Sequence, residues 1–65
     1  MLSSREVISK LKEDGWYLDR IAGSHHAFKH PVKKGIVTIP HPNKDLVIAT
    51  LRSIERQSGV KLLKR

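Results

Sequence analysis

Three short extended segments, separated by turn residues and flanked by two helical patterns, constrain the fold of this chain most strongly. The segments are Trp16–Ala22, His25–His30 and Ile36–Ile39, and aromatic and β-branched residues within them favour strands. The first break is Gly23-Ser24, and Pro40 stops the third segment. Because the connections are short, the pattern predicts an antiparallel meander of three strands.

A helix is predicted before the strands, from about Ser4 to Asp14. Ser3 and Glu6 have the spacing of a capping box, in which each side chain accepts a backbone N–H of the other residue. Gly15 lies where a helix commonly ends. Apolar residues recur on one stripe of this segment and predict its buried face: Val7, Ile8 and Leu11.

A second helix is predicted after the strands, within Lys44–Ser58. Gly59 stands where a left-handed C-terminal residue is favoured. Asn43 and Asp45 are both suitable N-caps, so the pattern leaves the start of the helix open. The residues that recur at helical spacing are Val47, Leu51, Ile54 and Ser58.

With 65 residues the chain has room for one domain, residues 1–65, with a thin core. It has no cysteine, which excludes disulfides and cysteine zinc sites. The predicted fold class is α+β in the order α-β-β-β-α, with a three-stranded antiparallel sheet and two helices on one face. That arrangement leaves the other face open, as in double-stranded-RNA-binding domains.

The charge of the chain favours polyanionic or acidic partners. Thirteen Lys and Arg oppose six Asp and Glu, a formal net charge of +7. On so small a body this charge attracts phosphate polymers or an acidic protein. The polar start of the chain predicts no signal peptide, and the longest apolar run, Leu46–Ala49, is too short to cross a bilayer. We therefore expect no membrane association and a cytoplasmic location.

The adjacent histidines of the second strand are the main candidates for chemistry, because histidine exchanges protons near neutral pH. Side chains alternate between the two faces of a strand. Phe28 is the predicted core residue, so His26 and His30 lean toward the helices. His25 shares the open face with Lys29 and follows a Gly-Ser turn, which makes it the preferred proton-transfer residue.

Structural roles are also considered for the other three histidines. His26 is expected at the edge of the core, and His30, before Pro31, is expected to help end the strand. His41 lies between two prolines, and the sequence does not decide whether it stabilises the loop or contacts a substrate. The four histidines lack the spacing of metal ligands, so we expect no metal and no cofactor. A Ser-His-Asp triad is poorly supported, although Asp19 could approach His25 across the hairpin.

Several motifs along the chain together resemble the HicA toxins, the mRNA-interferase half of bacterial HicA–HicB toxin–antitoxin pairs. Their order and approximate spacing match the family over nearly the whole chain, although a lone Gly-Ser-His-His is a weak motif. The motifs are Gly15-Trp16, Gly23-Ser24-His25-His26, Phe28-Lys29-His30-Pro31, Val37-Thr38-Ile39-Pro40-His41-Pro42 and Thr50-Leu51-Arg52-Ser53-Ile54 with Gly59.

The resemblance implies a double-stranded-RNA-binding-like fold and ribosome-independent cleavage of mRNA by one histidine, which maps onto His25. It also maps Gly23 onto a family glycine whose backbone freedom shapes the same loop. The implied partners are mRNA, as substrate, and a HicB antitoxin that covers the active surface.

A metal-free RNase needs a base for the 2′-hydroxyl proton, a cation for the charged transition state and an acid for the leaving 5′-oxygen. We assign proton transfer to His25, as base or as acid. Lys29 and Arg20 are candidate phosphate ligands, together with the Gly23 and Ser24 backbone N–H groups and the Ser24 hydroxyl. The alternatives are a non-catalytic RNA-binding module of the same fold and a basic adaptor for an acidic protein. The single lysine at the predicted start of the second helix disfavours the RNA-binding module.

Overall fold

A three-stranded antiparallel sheet connects two helices in the computed structural model, which describes residues 2–63. The observed order is the predicted α-β-β-β-α, and the strands follow one another in the sheet as a meander. Within residues 2–63 neither helix has the length and apolarity needed to cross a bilayer. The elements are α1 (Ser4–Glu13), β1 (Tyr17–Ala22), β2 (His25–Lys29), β3 (Val37–Pro40) and α2 (Ile48–Ser58).

The predicted capping box begins α1. The Glu6 N–H donates to Ser3 Oγ at 3.2 Å, and the Ser3 N–H donates to Glu6 Oε1 at 3.0 Å. These bonds satisfy two backbone donors that the helix cannot satisfy itself. The bond that the Glu6 carboxylate accepts from the Ser3 N–H is the main reason that the pKa of Glu6 lies below its ordinary value. Gly15 follows the helix with φ +106°, a conformation that L side chains rarely adopt.

The second helix begins later than either predicted cap. Val47 is its N-cap and makes no side-chain capping bond, and Ile48 is its first residue. Asn43 instead accepts the Asp45 N–H at its Oδ1 (3.0 Å), a local turn that competes with helix formation. Leu46 is buried and hydrogen-bonds the backbone just before α1. Packing of Leu46 against the start of α1 therefore keeps this segment out of the helix, and exposed Val47 lies outside the core. The predicted left-handed end at Gly59 is confirmed, with φ +72°.

The core lies between one face of the sheet and both helices. The strand residues of this face alternate as expected, with Phe28 from β2 and with Val37 and Ile39 from β3. Both helices contact β3, so the core is centred on the β2–β3 half of the sheet. The buried apolar residues are Val7, Leu11, Trp16, Phe28, Val37, Ile39, Leu46, Leu51, Ile54 and Leu62.

The β1 strand is an exposed edge of the sheet. All six of its residues are exposed, including Leu18 and Ile21, whose partners Phe28 and His26 face the helices. Leu18 keeps 43% of its surface exposed because the helices pack over the opposite half of the sheet. The place of a strand in the sheet therefore decides the burial of its side chains here as much as the alternation of the two faces does.

His30 organises the loop after β2. Its Nε2 lies 2.7 Å from the Asp14 carbonyl oxygen, and its Nδ1 accepts the N–H groups of Val32 and Lys33, each at 3.0 Å. The ring also contacts Trp16 edge-on, with 5.2 Å between centroids. Both nitrogens are used, with the proton on Nε2, so His30 joins the end of α1 to the β2–β3 loop and has a structural role.

We expect an acid-dependent contribution from the ion pair between Lys33 and Asp14. Lys33 Nζ lies 2.6 Å from Asp14 Oδ2, and this hydrogen bond is the main reason that the pKa of Asp14 lies below its ordinary value. A lowered folded-state pKa stabilises the fold above the unfolded-state pKa, and the stabilisation is lost as the pH falls through the folded-state value. Urea unfolding should show that Lys33→Met costs more stability near neutral pH than near pH ~2, where carboxyls are protonated. An equal cost at both pH values would contradict this role.

Candidate active site

The β1–β2 hairpin forms the tip of the candidate site. Gly23 and Ser24 are the two loop residues between the paired residues Ala22 and His25. Gly23 has φ +59°, whereas Ser24, like every other non-glycine residue among those described, does not have a positive φ. A positive φ at the first of the two loop residues only is the pattern of a type II′ hairpin turn. A Cβ on Gly23 would have no atom within 4 Å. Glycine is therefore required there by the positive φ and not by a lack of space.

His25 is the first residue of β2 and is exposed. Its strand partners are Ala22 and Pro40, and it lies on the same face as Ala27 and Lys29, opposite the helices. No group within residues 2–63 hydrogen-bonds its ring. The predicted open-face position of His25 is thus observed, and its imidazole is accessible to a substrate.

The two predicted phosphate ligands lie on the open face but at different distances from His25. Arg20 is opposite Ala27, two residues along β2 from His25. Lys29 is at the far end of β2, about 13 Å from His25 at the usual rise of a strand. The structure therefore brings Gly23, Ser24 and His25 together, sets Arg20 next to them and separates Lys29 from them.

Asp19 links the two cations instead of orienting His25, contrary to the possibility raised from the sequence. It is the extra residue of a β-bulge, where the register shifts between Leu18 and Arg20. Its carboxylate oxygens lie 3.3 Å from Arg20 Nε and 3.8 Å from Lys29 Nζ. The Arg20 side chain remains 66% exposed and that of Lys29 42%, so these are weak surface pairs from which a phosphate can attract either cation.

A second group of polar side chains, not foreseen from the sequence, lies beside the hairpin tip. The ring of His41 contacts His26 edge-on, with 4.8 Å between centroids. His41 Nδ1 lies 2.6 Å from the hydroxyl oxygen of Ser4. The His41 N–H donates to the Ser24 carbonyl at 2.7 Å, so this group is fixed directly to the turn before His25. In the sequence, this group was indicated only by the position of His41 between two prolines.

An open cleft of about 470 Å³ lies next to this group, between the start of α1 and the loop after β3. Its lining carries the charges of Arg5 and Lys44 and the ring of His41, so a polyanion bound there would meet two cations. The lining residues are Ser3, Ser4, Arg5, His41, Pro42, Asn43 and Lys44.

The donor atoms of the site do not form a metal-binding group. Among residues 2–63, no three His, Asp or Glu side chains come close enough to hold an ion together. His26 has its Nδ1 buried without a hydrogen-bond partner, while its ring packs on His41. The chemistry that the arrangement offers is proton transfer by imidazole groups, with cations nearby.

Comparison with known proteins finds a family model and solved structures that cover most of the chain. Residues 4–60 match the family described as the HicA toxin of bacterial toxin–antitoxin systems. A solved chain of a structure titled "HicA3 and HicB3 toxin-antitoxin complex" superposes with a TM-score of 0.83 and 32% sequence identity, over 95% of this chain and 100% of that chain. No curated protein sequence matches significantly.

Proposed function

This chain belongs to the HicA toxin family, and on that basis we propose that it is an mRNA endoribonuclease that uses His25 for proton transfer. The observation that carries the proposal is an exposed imidazole at the hairpin tip, free of hydrogen bonds within residues 2–63. An imidazole in this position is accessible to a bound phosphodiester, and histidine is the side chain best suited to take and give protons near neutral pH.

The charge distribution supports RNA as the substrate. The chain has a net charge of +7, and the open face of the sheet carries Arg20 and Lys29 on the same side as His25. Arg20, the nearer of the two, is the candidate for the cleaved phosphate. Lys29 is the candidate for a neighbouring phosphate, because about 13 Å along a strand spans more than one nucleotide. The Gly23 and Ser24 backbone N–H groups and the Ser24 hydroxyl belong to the turn directly before His25 and complete the proposed phosphate contacts.

The proposed reaction uses the nucleophile that RNA itself carries. The 2′-hydroxyl attacks the adjacent phosphorus after losing its proton, and the 5′-oxygen of the next nucleotide leaves after gaining one. His25 carries out one of these transfers, and the cations stabilise the charge that develops on the phosphoryl oxygens. No step of this reaction requires a bound metal ion or cofactor.

An antitoxin partner follows from the same family membership. The structural neighbour comes from a complex of HicA3 with HicB3, and we propose that a HicB protein neutralises this chain by covering the hairpin tip. The excess of positive charge favours an acidic antitoxin surface. Because the substrate is mRNA, we place the activity in the cytoplasm.

The test is RNA cleavage by the purified chain without antitoxin, in the presence of a metal chelator. We expect cleavage of a defined transcript with 2′,3′-cyclic phosphate and 5′-hydroxyl ends, because the attacking group is the 2′-hydroxyl. Products with 3′-hydroxyl ends that form only with a divalent metal would contradict the mechanism. RNA binding without any cleavage would favour the alternative, a non-catalytic module of double-stranded-RNA-binding-like fold.

A further inference from the structure

We propose that His41 is the second proton-transfer residue of this site and protonates the leaving 5′-oxygen through its Nε2. The inference rests on the proposed RNA cleavage, which requires one base and one acid. The two remaining histidines fit the acid role less well. His30 uses both ring nitrogens in structural hydrogen bonds. His26 has a buried, unpartnered Nδ1, so no protein group orients its ring by a hydrogen bond there.

The backbone holds His41 close to His25. Pro40, the residue before His41, is the strand partner of His25, and the His41 N–H donates to the carbonyl of Ser24 at 2.7 Å. Paired Cα atoms lie about 5 Å apart and consecutive ones about 3.8 Å, so the Cα atoms of the two histidines are within about 9 Å. Both histidines therefore lie at the same end of the sheet, where we place a single phosphodiester between their rings.

The two rings lie on opposite faces of the sheet. His25 lies on the open face, whereas the His41 ring contacts His26, whose strand partner Ile39 belongs to the buried face. In an in-line displacement the attacking and leaving oxygens are on opposite sides of phosphorus. A base and an acid must consequently reach the phosphate from opposite directions, which is the arrangement that these histidines offer.

Ser4 is suited to support a histidine that changes its protonation state. It is only 1% exposed, and its Oγ accepts the Asn43 N–H at 2.9 Å, so the hydroxyl is held in place beside His41 Nδ1. The hydroxyl oxygen can accept Nδ1–H of the imidazolium and also Nδ1–H of the neutral ring that remains after Nε2 gives up its proton. The Nδ1 proton stays in place in both states, so the exchanged proton is the one on Nε2. Nothing in residues 2–63 hydrogen-bonds Nε2 of His41, which lies beside the cleft containing Arg5 and Lys44.

The complete step conserves protons. His25 takes the proton of the 2′-hydroxyl while the bond from O2′ to phosphorus forms. The bond from phosphorus to O5′ breaks, and O5′ takes the Nε2 proton of the His41 imidazolium. We assign the acid role to His41 because Ser4 gives its imidazolium an acceptor at Nδ1, whereas no group in residues 2–63 offers one to His25. The products are a 2′,3′-cyclic phosphate and a 5′-hydroxyl end.

The experiment compares two RNAs that are cleaved at the same mapped position, one with the natural 5′-oxygen and one with sulfur in its place. A sulfur leaving atom needs no protonation, so loss of the acid does not slow its departure. The test variant is His41→Asn, whose amide keeps a hydrogen-bonding atom near Ser4 but cannot titrate. We expect cleavage of the oxygen RNA to fall by about 100-fold or more and cleavage of the sulfur RNA to stay near the wild-type rate.

The matched control is His26→Asn, a second histidine of the same cluster. We expect its two rates to change by the same factor, because it transfers no proton. Equal losses on both RNAs in His41→Asn, or no loss on the oxygen RNA, would overturn the acid role. Cleavage of the sulfur RNA by His41→Asn at a near-wild-type rate would also show that the variant is folded. If the wild-type chain cleaves neither RNA, the proposed RNase function itself fails, and the two failures are thereby distinguished.

Discussion

Replacing His25 by alanine should abolish RNA cleavage while leaving the protein folded. A positioned general acid or base contributes about 10²- to 10⁴-fold to a rate, so we expect a loss in this range for cleavage of a defined transcript. In cells, induced expression of the wild-type chain should arrest growth and deplete mRNA, and expression of His25→Ala should do neither. Single-turnover cleavage and the integrity of total mRNA are the two measurements.

Exposure of His25 makes the variant interpretable. The ring has no hydrogen-bond partner among residues 2–63, so its removal should change the free energy of unfolding by no more than about 0.5 kcal/mol. Arg20→Ala is a useful comparison, because loss of a phosphate contact should weaken RNA binding and its salt dependence together. Full cleavage by a folded His25→Ala protein would show that the proton-transfer residue lies elsewhere.

The largest effect on stability is expected for Phe28→Ala. Phe28 is 1% exposed and lies at the centre of the buried face, between its strand partners Leu18 and Val37. Truncating a buried phenylalanine costs about 3–5 kcal/mol, and a domain of this size is among the least stable because it buries a small fraction of its surface. Circular dichroism during urea unfolding should show a protein that is largely unfolded already at low denaturant concentration.

Leu18→Ala is the matched control for Phe28→Ala. Leu18 is paired with Phe28 across the strands and shares its face, but it lies on the exposed edge strand. We expect a cost below about 1 kcal/mol, because much of the side chain is already in water. Similar costs for the two variants would mean that the core extends over β1 and that the helices do not confine it to the other half of the sheet.

The position of His25 could be predicted because it depends only on local rules. A Gly-Ser turn places the next residue at the start of a strand, and the period of two then assigns each side chain to a face. The β-bulge at Asp19 does not disturb this assignment, because it lies in β1 and not in β2. The same period places Lys29 on the face of His25, and their positions at opposite ends of the strand put Lys29 about 13 Å away at the usual rise.

The neighbours of His41 could not be predicted in this way. Ser4 is 37 residues away in the chain, and the two meet because the start of α1 packs beside the loop after β3. The same contact explains the late start of α2, since Leu46 is drawn into the core and the helix forms only after it. Both features depend on long-range packing, which no local pattern contains.

The sequence by itself determined the order of elements, the capping box of α1, the hairpin turn and the face on which His25 lies. Each of these follows from interactions within a few residues, such as backbone capping, a positive φ at glycine or the alternation of a strand. Only the tertiary structure decided that β1 is left uncovered, that Asp19 joins the two cations and that Ser4, His26 and His41 meet beside the turn. The contacts among Ser4, His26 and His41 join segments distant in the chain, so they arise only when burial of the core packs the helices onto the sheet. The Asp19 contacts are set by the β-bulge of the β1–β2 hairpin.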